Sequence, residues 1–226
     1  MTPGEHAPGV RLVFLGPPGA GKGTQAQVLA GTSGAVQIAT GDILRRHRRD
    51  RTPLGLEAQS FMDAGKLVPD DLIVRMMEAE IAGHDSFILD GFPRTVPQAE
   101  ALDALLARLG LPLVAVVLFE TDRAELMARL TGRLTNERTG RTYHVVTDPP
   151  KVAGVDDDDG GPLVTRPDDR PETVAKRLVE YDSLTAALVP YYGAHGLLVR
   201  IDAMQAVPTV TAAIEGAVRR REAHVS

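Results

Sequence analysis

The residues best placed to do chemistry begin at Gly16-Pro-Pro-Gly-Ala-Gly-Lys-Gly-Thr24, directly after the apolar run Val10–Leu15. Leu12–Leu15 reads as a short buried strand and Gln25–Leu29 as helix, so the order is strand, glycine loop, helix. Glycines let backbone N–H groups turn inward and approach oxyanions closely, and a helix N-terminus adds a positive dipole end. Lys22 then stands as a point charge over the β- and γ-phosphates of a nucleotide, with Gly19, Ala20, Gly21, Gly23 and Thr24 around them. The spacing Gly16-x4-Gly21-Lys22 is met, but the usual hydroxyl comes one residue late, at Thr24, because Gly23 follows the lysine. A plain glycine-rich turn is the alternative. With 22 Gly and 4 Lys in 226 residues, that spacing arises by chance only about 0.04 times, so the loop reads as a phosphate cradle.

The elements that must position this loop alternate along the chain. Residues 1–9 read as a disordered leader. Val36–Ile38 is a short strand, followed by Thr40-Gly41-Asp42 and a basic helix over Ile43–Arg51. Leu56–Ala64 reads as a helix closed by Gly65, and a further helix runs from Pro69-Asp70-Asp71 to about Ala82, with its acids at the favourable N-terminal end. Ser86–Asp90 is an apolar strand ending in a carboxylate, and Gly91-Phe92-Pro93-Arg94-Thr95 turns into a helix over Pro97–Leu109. Leu113–Phe119 is the longest apolar run and is predicted to be a central parallel strand. Arg123–Leu130 is helical, Leu197–Ile201 the last strand and Val207–Arg221 the last helix. Strands alternating with helices specify an α/β fold with a parallel sheet.

Residues 132–170 break that rhythm. They are rich in Gly, Pro, Asp and Thr, with only short β-like pieces such as Thr142–Val146. Helical periodicity returns at Asp169-Arg-Pro-Glu172, which reads as a helix start. An irregular stretch of this length inside an α/β domain suggests a functional lid folded as a small inserted subdomain rather than a disordered linker.

Composition narrows the classes. At 226 residues and 43% hydrophobic, the chain suits one domain with insertions and can bury a core. It has no cysteine, so a disulfide framework and a thiolate zinc site are excluded. No apolar run reaches the ~18 residues of a membrane span and the N-terminus lacks a signal pattern, so a cytoplasmic location is expected. A formal charge of −5 argues against non-specific nucleic-acid binding. Of its 25 cations all but 4 are arginine, which suits bidentate phosphate recognition, although base composition of a genome produces the same bias.

GPPGAGKGTQ at 16–25, ATGDILR at 39–45, DAGKLVPD at 63–70, ILDGFPRT at 88–95, GRTYHV at 140–145, DPPK at 148–151, TRPDD at 165–169 and KRLVEY at 176–181 stand in the order seen in adenylate kinases. From Val10 to about Gln205 the chain resembles the long-lid bacterial type of that family. The resemblance implies a P-loop fold with a five-stranded parallel sheet flanked by helices, a small helical insert and a β-rich lid insert. It divides the chain into core segments 1–38, 69–131 and 170–226, an AMP-binding insert at 39–68 and a lid at 132–169. It implies reversible transfer of a phosphoryl group from MgATP to AMP, giving two ADP, by a monomer that needs neither nucleic acid nor membrane.

Such transfer asks little covalent chemistry of the protein, because catalysis is mostly alignment and charge neutralisation on the moving group. Several cations must therefore converge between two nucleotides. By resemblance Lys22, Arg94, Arg133, Arg166 and Arg177, with Asp90, carry the catalysis. ATP is held by the loop residues 19–24 and by Arg129, Arg133, Thr142, Tyr143 and Gln205, with Arg129 stacked on the adenine. AMP is held by Thr40, Arg45, Lys66, Leu67, Val68, Gly91, Phe92, Pro93, Arg94, Gln98, Arg166 and Arg177. Gln98 can both donate to and accept from the N6 and N1 edge of adenine. Asp42 and Asp90, near Thr24, would orient Mg²⁺ through bound waters.

Two further metal readings fail on the residues. Asp156-Asp-Asp-Asp-Gly160 evokes a calcium loop, but with Gly160 at the sixth place the twelfth is Arg166, where a bidentate Glu is required. Many relatives hold zinc in the lid on four cysteines. Here Asn136, Thr139, Asp156 and Asp159 stand where those ligands would lie, which favours a hydrogen-bonded polar cluster and no zinc. Rival functions are a kinase for UMP, CMP or GMP, a P-loop hydrolase or switch, and a non-catalytic nucleotide-binding module. The last would be favoured by loss of Lys22, Asp90 or Arg94, and all three are present.

Overall fold

The computed structural model describes residues 9–63 and 68–225. The leader up to residue 8, the predicted closure of a helix at Ala64-Gly65, and Lys66 and Leu67 lie outside the described residues. Five parallel strands form the main sheet: β1 (Arg11–Leu15), β2 (Val36–Ala39), β3 (Phe87–Asp90), β4 (Ala115–Glu120) and, last in the chain, Leu198–Asp202. Between β4 and that strand lie β5 (Arg133–Asn136), β6 (Thr142–His144) and β7 (Leu163–Val164), so it is β8. The spatial order is β2-β3-β1-β4-β8. The Leu113–Phe119 run thus forms an interior strand, but the middle of the sheet belongs to β1, which pairs with β3 on one side and β4 on the other.

Side chains alternate across the pleat, and both faces are apolar because helices cover both. Leu12 and Phe14 of β1 join Val117 and Phe119 of β4 in one layer, beneath the helices α1 (Lys22–Ser33), α6 (Arg123–Thr131), α7 (Pro171–Leu184) and α9 (Val207–Val225). Val13 and Leu15 join Val116, Leu118 and Leu89 in the other, beneath α2 (Thr40–Arg49), α3 (Pro53–Asp63), α4 (Asp70–Ile81), α5 (Val96–Leu109) and α8 (Leu188–Ala194). Each of these side chains contributes about 1.5–3 kcal/mol on burial, which is why the short strands hold. Among the described residues no helix is long and apolar enough to cross a membrane.

Local signals set most helix ends. Thr95 caps α5 by accepting from the Gln98 N–H at 3.3 Å, and Gly110 ends it in the left-handed region at φ 70°. Asp122 caps α6 through the Ala124 N–H at 2.7 Å. The predicted start of α7 at Asp169 is corrected by the structure. The helix begins at Pro171 with Arg170 as a cap that makes no side-chain bond, because the Asp169 carboxylate is taken by an arginine from another element. The apolar residues from Val174 to Leu188 do not lie on one helix. The helix breaks at a 3-10 turn over Thr185–Ala187 and restarts as α8, whose first turn accommodates Pro190, a residue without an N–H.

The irregular segment builds its own antiparallel sheet, in the order β6-β5-β7. Beneath it Asn136 Nδ2 donates to Asp156 Oδ2 at 2.8 Å and to Asp159 Oδ1 at 2.9 Å, and the Tyr143 hydroxyl donates to Asp156 Oδ1 at 3.1 Å. The Arg141 N–H donates to Thr139 Oγ1 at 3.2 Å, and Arg138 forms an ion pair with Asp159. The Gly161 N–H and Asn136 together hold the Asp159 carboxyl below the usual carboxylate range, against a smaller opposing effect of burial. These polar residues are bonded to one another.

Candidate active site

The carboxyl ends of β1, β2, β3, β4 and β8 open into one cleft of about 1160 Å³, the place where open α/β sheets bind ligands. Its floor is the loop between β1 and α1. Gly19 and Gly21 sit at φ 85° and 86°, a region closed to most side chains, and a Cβ on Gly19 would press on Leu130 Cγ at 2.9 Å. Gly21 is the cap of α1, so the first N–H groups of that helix face the cleft. Lys22 Nζ donates to the carbonyls of Gly16 at 2.7 Å and Pro17 at 2.8 Å, which draws the ammonium across the loop mouth. Burial pushes the Lys22 ammonium down to about 8, with Asp90 opposing and Arg94, Arg177 and Arg133 adding to the fall.

Asp90 ends β3 on the opposite wall, and a Cβ built on Gly23 would stand 3.4 Å from its Oδ2. Burial raises the Asp90 carboxyl above the usual range, with Lys22 pulling it down. No hydrogen bond or ion pair holds that carboxylate among the described residues. A half-buried carboxylate left open beside a phosphate loop suits a hydrated magnesium ion carried in with a nucleotide. Asp42 and Thr24 line the same cleft, and Asp42 is paired with Arg45.

The cations come from three directions. Arg94 follows β3, with its Nε donating to the Gly91 carbonyl at 2.9 Å. Arg133 opens β5 and is gripped by the Asp169 carboxylate, Nε to Oδ2 at 2.8 Å and Nη2 to Oδ1 at 2.5 Å. Arg177 of α7 donates to the Asp168 carbonyl at 2.9 Å and approaches Asp169 Oδ1 at 3.4 Å. Arg166 Nε donates to Thr135 Oγ1 at 3.0 Å, within the small sheet. Burial lowers both Arg94 and Arg166, and the next contribution in each is a neighbouring arginine, Arg177 and Arg133 respectively. Burial opposes ionisation of Asp168, but Arg177 and the other arginines outweigh it and hold that carboxyl low. Like charges held together in a partly dry cleft favour a polyanion. Arg129 lines the far end, tied to Glu125 at 3.3 Å and to the Ala203 carbonyl at 3.3 Å, near Gln205.

Of the residues singled out in the sequence, Gly19 to Thr24, Asp42, Arg45, Asp90, Gly91, Pro93, Arg94, Arg129, Arg133, Thr142, Tyr143, Arg166, Arg177 and Gln205 line this one cleft. Thr40, Val68, Phe92 and Gln98 do not. Phe92 and Val68 are buried in the core, and Thr40 turns its hydroxyl onto the Asp90 carbonyl at 3.1 Å. Gln98 is 3% exposed and its amide is occupied: Oε1 accepts from the Arg94 N–H at 2.8 Å and Nε2 donates to Asp70 Oδ1 at 2.7 Å. Through these bonds it braces the turn that carries Arg94. Sequence reasoning missed Asp168 and Asp169 as arginine partners. Both stand in the TRPDD motif at 165–169, whose spacing does not say which partner each acid takes.

A phosphate loop at the switch point of a parallel sheet, ringed by arginines, defines the P-loop class of phosphoryl-handling proteins. The family model for adenylate kinase matches residues 14–197. The chain is 48% identical over 214 residues to an adenylate kinase of Carboxydothermus hydrogenoformans, covering 93% of this chain and 100% of the relative. It is 50% identical over 213 residues to one of Acidothermus cellulolyticus, covering 93% and 98%. A third, from Salinispora tropica, is 49% identical over 205 residues, covering 89% and 94%. The chain belongs to the adenylate kinase family.

Proposed function

We infer that this chain is an ATP:AMP phosphotransferase, which moves the γ-phosphoryl group of MgATP to AMP and reversibly yields two ADP. The observation that carries this reading is the convergence of Lys22, Arg94, Arg133, Arg166 and Arg177 on one cleft, with wings on both sides of the loop. No protein nucleophile is needed. A phosphate oxygen of AMP attacks the γ-phosphorus, the bond to the bridging oxygen breaks, and that oxygen leaves with ADP.

In this reading the loop residues 19–24 cradle the ATP phosphates. Lys22 exchanges its two loop carbonyls for phosphate oxygens. Arg129, Thr142, Tyr143 and Gln205 hold the donor nucleoside, and Arg45 and Arg94 grip the phosphate of AMP. Asp90 and Asp42 orient the water shell of the magnesium that arrives with ATP, beside Thr24. Residues 132–169 act as a lid bringing Arg133 and Arg166 onto the transferring group, and 39–68 as the AMP-side insert. Arrival of AMP has the Gln98 amide exchange Asp70 for the adenine edge, while Thr40 and the backbone at 66–68 complete that pocket. The polar cluster around Asn136 replaces zinc as the lid's internal brace. A cytoplasmic monomer is the form expected of the protein.

The test is one assay panel, ATP with AMP, GMP, CMP or UMP, following nucleoside diphosphate formation. AMP is expected to give the highest kcat/KM, since a site built to pair one base edge is left unpaired by another. A rate with UMP or GMP equal to that with AMP would refute the base assignment.

A further inference from the structure

We propose that His144 is a positioning residue that clips the lid to the end of α6 through a fixed ring tautomer. The backbone N–H groups of Val146 and Thr147 point at its Nδ1 from 3.2 and 3.1 Å. Two donors at one ring nitrogen require a lone pair there, so the proton of the neutral ring sits on Nε2. Nε2 lies 3.2 Å from the carbonyl oxygen of Ala128 and donates to it. That carbonyl lies in the last turn of α6 and also accepts from the Gly132 N–H at 3.1 Å, so the ring takes its second lone pair and ties the lid to the helix end.

Gly132, the residue at which α6 passes into β5, completes the fit. A Cβ there would stand 2.7 Å from the ring Cε1 of His144, so the ring packs directly on glycine backbone. The Val145 N–H donates to the Gly132 carbonyl at 2.9 Å and fastens the same turn. The joint lies between Arg129 and Arg133, and Ala128, His144 and Thr147 line the cleft beside them. Its rigidity therefore sets where the two donor-side arginines stand relative to the phosphate loop. This inference rests on the proposed function, in which those arginines hold ATP.

Two variants separate the ring's two ends. His144→Asn keeps an acceptor where Nδ1 was, able to close the turn on residues 146 and 147, but cannot reach Ala128. His144→Gln extends an amide donor toward Ala128 and gives up the close acceptor. One lost hydrogen bond corresponds to about a fivefold change. His144→Asn is expected to raise the KM for MgATP by about that factor, with the KM for AMP within about twofold of wild type, and His144→Gln to restore the ATP KM. Nitrogen-15 spectra of the nucleotide-free wild-type protein at neutral pH are expected to show the His144 proton on Nε2. A proton on Nδ1, an unchanged ATP KM in His144→Asn, equal rises in both KM values, or a larger defect in His144→Gln would each overturn the proposal. The tautomer is read without nucleotide, so failure of the proposed function leaves that arm standing, while an Nδ1 proton removes the clip even from an active kinase.

Discussion

Asp169→Asn is the perturbation on which the electrostatic reading of the cleft depends most directly. Asp169 is 1% exposed, and its two oxygens make the fork to Arg133 at 2.8 and 2.5 Å, with Arg177 at 3.4 Å from the same group. Asparagine has nearly the same volume but no charge and only one acceptor oxygen, so one arm of the fork opens, Arg133 loses its counter-ion and Arg177 keeps only Asp168. Stranding a buried charge costs about 3–5 kcal/mol. The Arg133 and Arg177 side chains are 24% and 30% exposed, so water recovers part of that, and about 2 kcal/mol remains. For a chain of this size the loss lowers Tm by about 4–8 °C. A guanidinium freed from its fork also misplaces a transition-state donor, and kcat falls by about 10- to 100-fold. Differential scanning calorimetry and a coupled ADP assay read the two effects. Asp168→Asn serves as the comparison: its carboxylate meets Arg177 at 3.1 Å and is 38% exposed, so its loss is smaller. A melting temperature for Asp169→Asn within about 1 °C of wild type would show that Arg133 does not depend on this anion, and the account would fail.

Burial pushes Lys22 down to about 8, below its ordinary 10.5, so the charged lysine opposes folding below about pH 8 and stability rises as pH climbs between those values. In the same window kcat/KM for MgATP, which reports the free enzyme, is expected to fall while kcat, with phosphate beside the lysine, holds; a profile of kcat/KM flat to pH 10 would refute this. Arg166→Ala is expected to lower kcat by more than it raises the ATP KM, within the ~10³–10⁵ that transition-state arginines contribute; a larger rise in KM would make Arg166 a ground-state anchor. Tyr192 is fully buried and its hydroxyl has no partner among the described residues, so Tyr192→Phe is expected to leave stability unchanged or raise it by up to about 1 kcal/mol; a clear drop in Tm would reveal a hidden bond. Zinc chelators with excess magnesium are expected to leave activity and Tm unchanged, and stoichiometric zinc by elemental analysis would contradict the polar-cluster brace.

What the sequence by itself determined is what short stretches decide. The loop at Gly16–Thr24 follows from glycines that adopt positive φ, and the sheet from apolar runs that only burial on both faces satisfies. The caps at Thr95 and Asp122 are local as well. Arg45, Arg94, Arg166 and Arg177 were legible because each sits in a motif of distinctive spacing, and Arg129 and Arg133 only through the family resemblance. Their partners were not. Asp169 looks like a helix start within its own segment, yet its carboxylate belongs to Arg133, 36 residues away, and a charge pair between distant segments outweighs the one bond a cap provides. Gln98 sits in a recognisable motif, but that Asp70 of α4 and the backbone of Arg94 hold its amide is decided only by tertiary packing. His144 stands in a β-like piece and in the GRTYHV motif, neither of which gives its side chain a role. Ala128 at the end of α6 and the backbone of Gly132 give its ring a fixed tautomer, because hydrogen bonding between distant segments is set by where the fold brings them together.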